Sequence, residues 1–271
     1  DAQQNNVYTI QQTLAEQIAR DISLYVTNIE AQMLRLGQEA EFATRQDRIE
    51  LATQAHGLIK TNATHIHAIA VINTERQEII SASIEEIEIH DSAQQRYDND
   101  PLVNSALNGV GQRGDIQHSA DGQSTFAIAL PVRNQAGQVI GAVRGEINAE
   151  PIAEEFLSNS RRIANSVAYL IDDQRRVMLD DGTPDWSPTV NLEPLFTAND
   201  PVTVYRNNNN QSVVGARATV NPVSWSVIVE QSASNAFANI RLNIFILAGL
   251  VLLVAVLALV WALLQAQTIL H

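Results

Sequence analysis

Arg144 and Glu146 stand two residues apart in VIGAVRGEI, residues 139–147, a run that alternates as a strand does. Successive strand side chains point to opposite faces, so this spacing puts a cation and an anion on one face. An arginine offers a planar fork to a carboxylate or phosphate, and a glutamate accepts from an amine or hydroxyl. On a concave face the two would hold a small polar ligand. On an outer face they would be a solvated ion pair worth about 0–1 kcal/mol. Tyr97 and Phe126 can supply apolar or stacking walls. Arg96 can neutralise an anion, or pair with Asp98 or Asp100 at the surface.

Other chemistries find less support. His65, His67 and His90 invite a metal, but a catalytic zinc needs three ligands and an open position, and no HExxH occurs. Solvent-facing histidines are expected instead, with no metal and no cofactor. There is no GxSxG and no recognisable triad order, and the scattered carboxylates read as an acidic surface, so no enzyme activity is expected in this chain. Gly109, Gly111 and Gly114 lack the spacing and the preceding strand of a dinucleotide loop. The chain has no cysteine, which removes disulfides and thiol catalysis. Its 271 residues carry a formal net charge of −13, the wrong sign for nucleic acid and for lying on an anionic leaflet.

The candidate residues need elements to position them. Val7, Ile10, Leu14, Ile18, Ile22, Tyr25, Ile29, Met33 and Leu36 follow one another in steps of three and four, the period of a helix. No proline interrupts residues 1–60, and Gly57 is a plausible end, so one long helix is expected over 1–57. Its apolar stripe can meet the domain behind it, a copy of itself in a dimer, or both. Strands are expected at 66–73 and 78–83 around the turn at 73–76, then a short helix at 101–107 opened by Pro101. A hairpin follows, 124–132 and 139–147, and residues 151–165 read as a connecting helix. The pattern then recurs in shorter form: strands at 166–171, 176–179, 201–205, 212–219 and 225–231. This repetition suggests two copies of one antiparallel α+β unit. The units divide the chain into a helix (1–57), a first module (58–150), a connector (151–165), a second module (166–233) and a terminal segment (234–271).

Within that last segment, residues 244–264 are 21 residues without a charged side chain. A helix of that length matches the roughly 30 Å hydrocarbon core of a bilayer. Taken alone, Arg241 before this span and the absence of Lys or Arg after it would place the soluble part in the cytoplasm.

Four stretches together are similar to the double Cache family of extracytoplasmic sensor domains: DPLVNSALNGVG at 100–111, LPVRNQAGQVIGAVRGEIN at 130–148, AYLIDDQRRVMLDDG at 168–182 and WSVIVEQSASNAFANI at 225–240. The resemblance implies two PAS-like modules on one long helix, outside the inner or plasma membrane, with a first membrane helix before Asp1 and a signalling module after the second span. It implies a small-molecule ligand, an amino acid, amine or organic acid, held in the distal module between its sheet and the loop and helix above it. It also implies a receptor working as a homodimer, with the bilayer as its other partner. In the amino-acid-binding branch an aspartate near the end of the distal hairpin holds the ligand's ammonium, and the matching position is Glu146. An arginine before the proline-aromatic segment holds the carboxylate. Here Asp100 takes that place, with Leu102 and Val103 for aromatics, so a carboxylate is repelled unless Arg96 takes over. These departures leave a second reading open: a membrane-anchored structural or accessory subunit with a degenerate pocket.

Overall fold

The helical period at the N-terminus produces α1, Ala2–Gln38, about 55 Å long at 1.5 Å per residue. The computed structural model describes residues 2–38, 44–90, 96–120, 122–182, 192–198 and 200–238. Leu14, Ile18, Ile22, Val26, Ile29, Met33 and Leu36 of α1 are buried. Ile10 is not: it is 46% exposed. The helix expected over 1–57 is two helices. The second, α2, is Arg45–Thr61 and begins with a capping box. Thr44 Oγ1 accepts from the Asp47 N–H at 3.2 Å, and Asp47 Oδ2 accepts from the Thr44 N–H at 2.9 Å. Two orphan amides are satisfied reciprocally, which fixes the start of the helix.

The first module is a seven-stranded antiparallel sheet in the order β3-β2-β1-β7-β6-β4, with β5 also on β6. Its strands are β1 (Ile66–Asn73), β2 (Glu78–Ser83), β3 (Ile87–Ile89), β4 (Gln112–Arg113), β5 (Gln117–His118), β6 (Ser124–Arg133) and β7 (Val139–Asn148). The helix α3, Pro101–Leu107, lies between β3 and β4 in sequence and packs on β6 and β7. Strand alternation sorts the side chains into two faces. Ile69, Val71, Ile80, Ile128, Leu130, Val132, Val143 and Ile147 join α1 and α2 in the main core. The other face is mostly small residues: Ala70, Ala129 and Ala142, with Ile72, meet Val103 and Ala106 of α3.

A π-helical turn, Ile152–Leu157, and α4, Asn159–Ala164, lead to the second module. Its five antiparallel strands run in the order β10-β11-β12-β8-β9. They are β8 (Val167–Ile171), β9 (Val177–Asp180), β10 (Val202–Arg206), β11 (Ser212–Val220) and β12 (Trp225–Ser232), with α5 (Glu193–Thr197) and α6 (Ala233–Ala236) beside them. The N-terminal part of α1 packs on β11 and β12, its C-terminal part on β6 and β7, so one helix backs both sheets. Among the described residues no helix is long and apolar enough to cross a membrane. The expected span, 244–264, lies outside the described residues.

Candidate ligand-binding site

The small-residue face of the first sheet leaves a cleft under residues 96–102. Register sets its floor. Arg144 of β7 stands between Ala70 of β1 and Ala129 of β6; Glu146 stands between Ala68 and Ala127. Four methyl groups thus flank two charged side chains, and the missing bulk is the space above them. The roof is held by backbone pairing: the Tyr97 N–H donates to the Arg76 carbonyl at 3.0 Å. The cleft has two lobes. One has a volume of about 590 Å³ and reaches Glu78, Ser81, Arg96 and Tyr97; the other, about 470 Å³, reaches Leu102, Asp115, Gln117 and Thr125. Both volumes suit a small metabolite. Asn99, Asp100, Arg144 and Glu146 line both lobes.

Between the lobes runs an ion pair, Arg144 Nε to Asp100 Oδ2 at 3.0 Å. Asp100 is also the N-cap of α3: its Oδ1 accepts from the N–H groups of Leu102, at 2.8 Å, and Val103, at 3.2 Å. The Arg144 guanidinium lies 5.9 Å from the centre of the Tyr97 ring. The Tyr97 hydroxyl donates to Glu78 Oε2 at 2.8 Å. Burial pushes that phenol's pKa up, and its bond to Glu78 adds to the shift. At the rim, Arg96 and Asp98 form a two-bond pair at 2.7 and 2.9 Å. Asp98 is held below the usual carboxylate range by its bond to Arg96. Among the described residues Glu146 has no such cation. Its contact among the described residues is a 3.4 Å bond from Thr125 Oγ1, and its side chain is exposed to the cleft.

Arg96, Tyr97, Asp100, Arg144 and Glu146 therefore meet in one cleft. Phe126 does not join them. It borders the second lobe, but its ring is 2% exposed and stands edge-to-face on Trp225 at 5.2 Å, on the opposite side of the sheet. It pairs with Ile147 rather than Glu146, which assigns it to the α1 side. The histidines also differ from expectation. His90 is 7% exposed, and its Nε2 lies 3.5 Å from both Glu78 and Glu88. His65 stands edge-on to Tyr25 at 5.4 Å. Among the described residues no three His, Asp or Glu are grouped to hold a metal. Glu78, Asn99, Asp115 and Thr125 line the cleft without having been singled out in the sequence. The alternating alanines of β1 and β6 were the available signal for it.

The family model for the Cache domain matches residues 1–240. The chain belongs to the Cache domain family. Such domains are extracytoplasmic, ligand-sensing parts of membrane receptors. Solved Cache structures share the fold. The sensory domain of the Campylobacter jejuni chemoreceptor Tlp3 superposes with a TM-score of 0.71 at 11% identity, covering 87% of this chain and 97% of that one. The ligand-binding domain of the Pseudomonas aeruginosa amino-acid chemoreceptor PctC, in complex with GABA, gives 0.60 at 14% identity, with 83% and 99% covered. That of the Pseudomonas fluorescens chemoreceptor CtaA, in complex with L-isoleucine, gives 0.59 at 14%, with 88% and 97% covered. No curated protein sequence matches the chain significantly.

In this Cache protein the corresponding face of the second module carries large side chains. Tyr169, Tyr205, Leu192, Leu195 and Phe196 pack there. Tyr205 lies so close over Gly215 that a Cβ at 215 would collide with its ring. Both phenols donate to the buried Glu230, Tyr169 at 2.7 Å. Burial, then the Glu230 charge, drives the Tyr205 pKa up.

Proposed function

We propose that this Cache protein is the sensory region of a transmembrane receptor whose first module binds a small ligand through a cationic amine, with Glu146 accepting the ammonium. The observation that carries this reading is the charge balance of the cleft. The first lobe is lined by Glu78, Asp98, Asp100 and Glu146 against Arg96 and Arg144. Both guanidiniums are committed to aspartates, and Glu146 is left open. An amine gains a charge-assisted bond there, whereas a carboxylate meets three or four like charges. The neighbours that bind amino acids share the fold, and an amino acid's ammonium suits Glu146 equally well.

The bilayer and a second copy complete the proposal. Residues 244–264 are the membrane span, and α1 is the dimer helix. Its outward face carries Ile10, Leu24 and Leu34, which are 46%, 67% and 36% exposed. They fall at spacings of 14 and 10 residues, compatible with a three-four seam that also includes Thr27 and Ala31.

Three four-carbon probes test the ligand class: putrescine with two ammoniums, GABA with one ammonium and one carboxylate, and succinate with two carboxylates. Calorimetric titration is expected to rank putrescine above GABA above succinate. Glu146→Gln is expected to weaken putrescine by about tenfold or more, since each tenfold is about 1.4 kcal/mol. Tightest binding of succinate, or indifference to Glu146→Gln, overturns the reading.

A further inference from the structure

We infer that Asp100 is a specificity-determining residue: by holding Arg144, it denies the cleft its one central cation and excludes carboxylate ligands. This rests on the reading of the cleft as a ligand site.

The role is separable from helix capping. Capping α3 uses Oδ1 alone, which takes both the Leu102 and Val103 amides. Asn, Ser or Thr would cap as well. Only an aspartate adds a second, anionic oxygen, and that oxygen is the one 3.0 Å from Arg144 Nε. The carboxylate is pinned by its two amide bonds, so it cannot swing aside for a ligand without uncapping the helix.

The alternative partner makes the point sharper. Glu146 is on the same strand and the same face as Arg144, yet no ion pair joins them; Arg144 is turned to Asp100 instead. The result is a cleft with an open anion and an occupied cation. Because Arg144 and Asp100 line both lobes, the pair faces whatever occupies either one. Breaking it to seat a ligand carboxylate would leave Asp100, with a side chain only 18% exposed, without its counter-ion.

Asp100→Asn keeps the cap and releases the guanidinium. With the full chain in detergent micelles, titration of Asp100→Asn with succinate and GABA is expected to show affinity raised by about tenfold or more over the unaltered protein, and putrescine weakened. Glu85→Gln is the control. It removes one carboxylate charge from the same module, at an exposed bend that lines neither lobe, and is expected to leave the ranking of the three probes unchanged. An unchanged ranking in Asp100→Asn, while the unaltered protein binds putrescine, overturns the selectivity role and leaves the site reading standing. An equal gain in Glu85→Gln also overturns it, because net charge alone would then account for the change. Absence of binding of all three probes by both proteins overturns the site reading, and this inference with it.

Discussion

Trp225 joins the two modules, and its replacement by phenylalanine measures how strongly. It belongs to β12 of the second sheet and is 1% exposed. Its ring meets Phe126 of the first sheet at an interplanar angle of 87°. Its Nε1–H donates to Asp115, which lines the second lobe of the cleft, at 3.4 Å. Phenylalanine keeps an aromatic edge for Phe126 but loses the donor and part of the volume. The bond is long and its acceptor exposed, so its loss costs about 1 kcal/mol, below the usual value for a charged acceptor. The void adds on the order of 1 kcal/mol at about 24 cal/mol per Å³. Urea unfolding of residues 1–238 is therefore expected to show a loss of about 2 kcal/mol. With a slope of about 2 kcal/mol/M, the midpoint falls by about 1 M.

A double-mutant cycle isolates the bond. Asp115→Ala alone, and combined with Trp225→Phe, should reveal a coupling of about 1 kcal/mol. Distant sites add to within about 0.5 kcal/mol. A cycle that closes within that limit refutes the claim that the cleft's edge and β12 are energetically joined. A loss well under 1 kcal/mol for Trp225→Phe refutes the packing part of the estimate.

Two further outcomes follow from the same contacts. Tyr25, Tyr97 and Tyr205 have pKa values raised chiefly by burial, so the unfolded chain ionises them near pH ~10 while the folded one does not. Above that pH the unfolded state binds fewer protons, so stability, complete below pH ~10, should fall by up to about 4 kcal/mol per pH unit for the three phenols. Urea midpoints at rising pH check this, and Tyr205→Phe should lower the slope by about a third. Gly145→Ala places a Cβ against the tip of Met33, at 2.6 Å from its Cε. It should cost about 1–2 kcal/mol by overpacking, and the cost should vanish in a Met33→Ala background where the tip is absent.

Most of the scaffold was legible because local chemistry and tertiary need agree. The strands at 66–73 and 78–83 coincide with β1 and β2, and Asn73 Oδ1 closes their turn by accepting from Glu75 and Gln77 N–H groups at 3.0 and 2.9 Å. Helix α3 starts at the expected proline. The break after α1 is masked in the sequence because apolar periodicity resumes at Leu51, Ala52, Ala55 and Ile59, and the Thr44–Asp47 capping box is its one local sign. Strands β3, β4 and β5 have only two or three residues, too few for any period to show. In the cleft, the common face of Arg144 and Glu146 follows from spacing within one strand. The face of Phe126 depends on its register with Ile147, which spacing cannot supply. Nor can it supply the Arg144–Asp100 pair, which joins residues 44 apart in sequence.

The cleft and α1 are two sides of one strand. Arg144 and Glu146 face the cleft, and Gly145 between them rests on Met33. A second tie lies beside the other lobe, where Arg113 of β4 pairs with Glu30 of α1, Nε to Oε2 at 3.1 Å, with both side chains under 20% exposed. At the far end of α1, the buried Gln11 donates to Gln231 of β12 at 2.7 Å and exchanges bonds with Ser166 at 3.2 Å. A slide of α1 by even one residue, about 1.5 Å, would break the polar ties at both ends at once. Packed interiors do not yield continuously to such displacements. A change at the cleft floor can therefore reach the N-terminal end of α1 only with the helix and its ties moving together. Gln11 bonds that end of the helix to β12, the strand from which the sequence runs on toward residues 244–264.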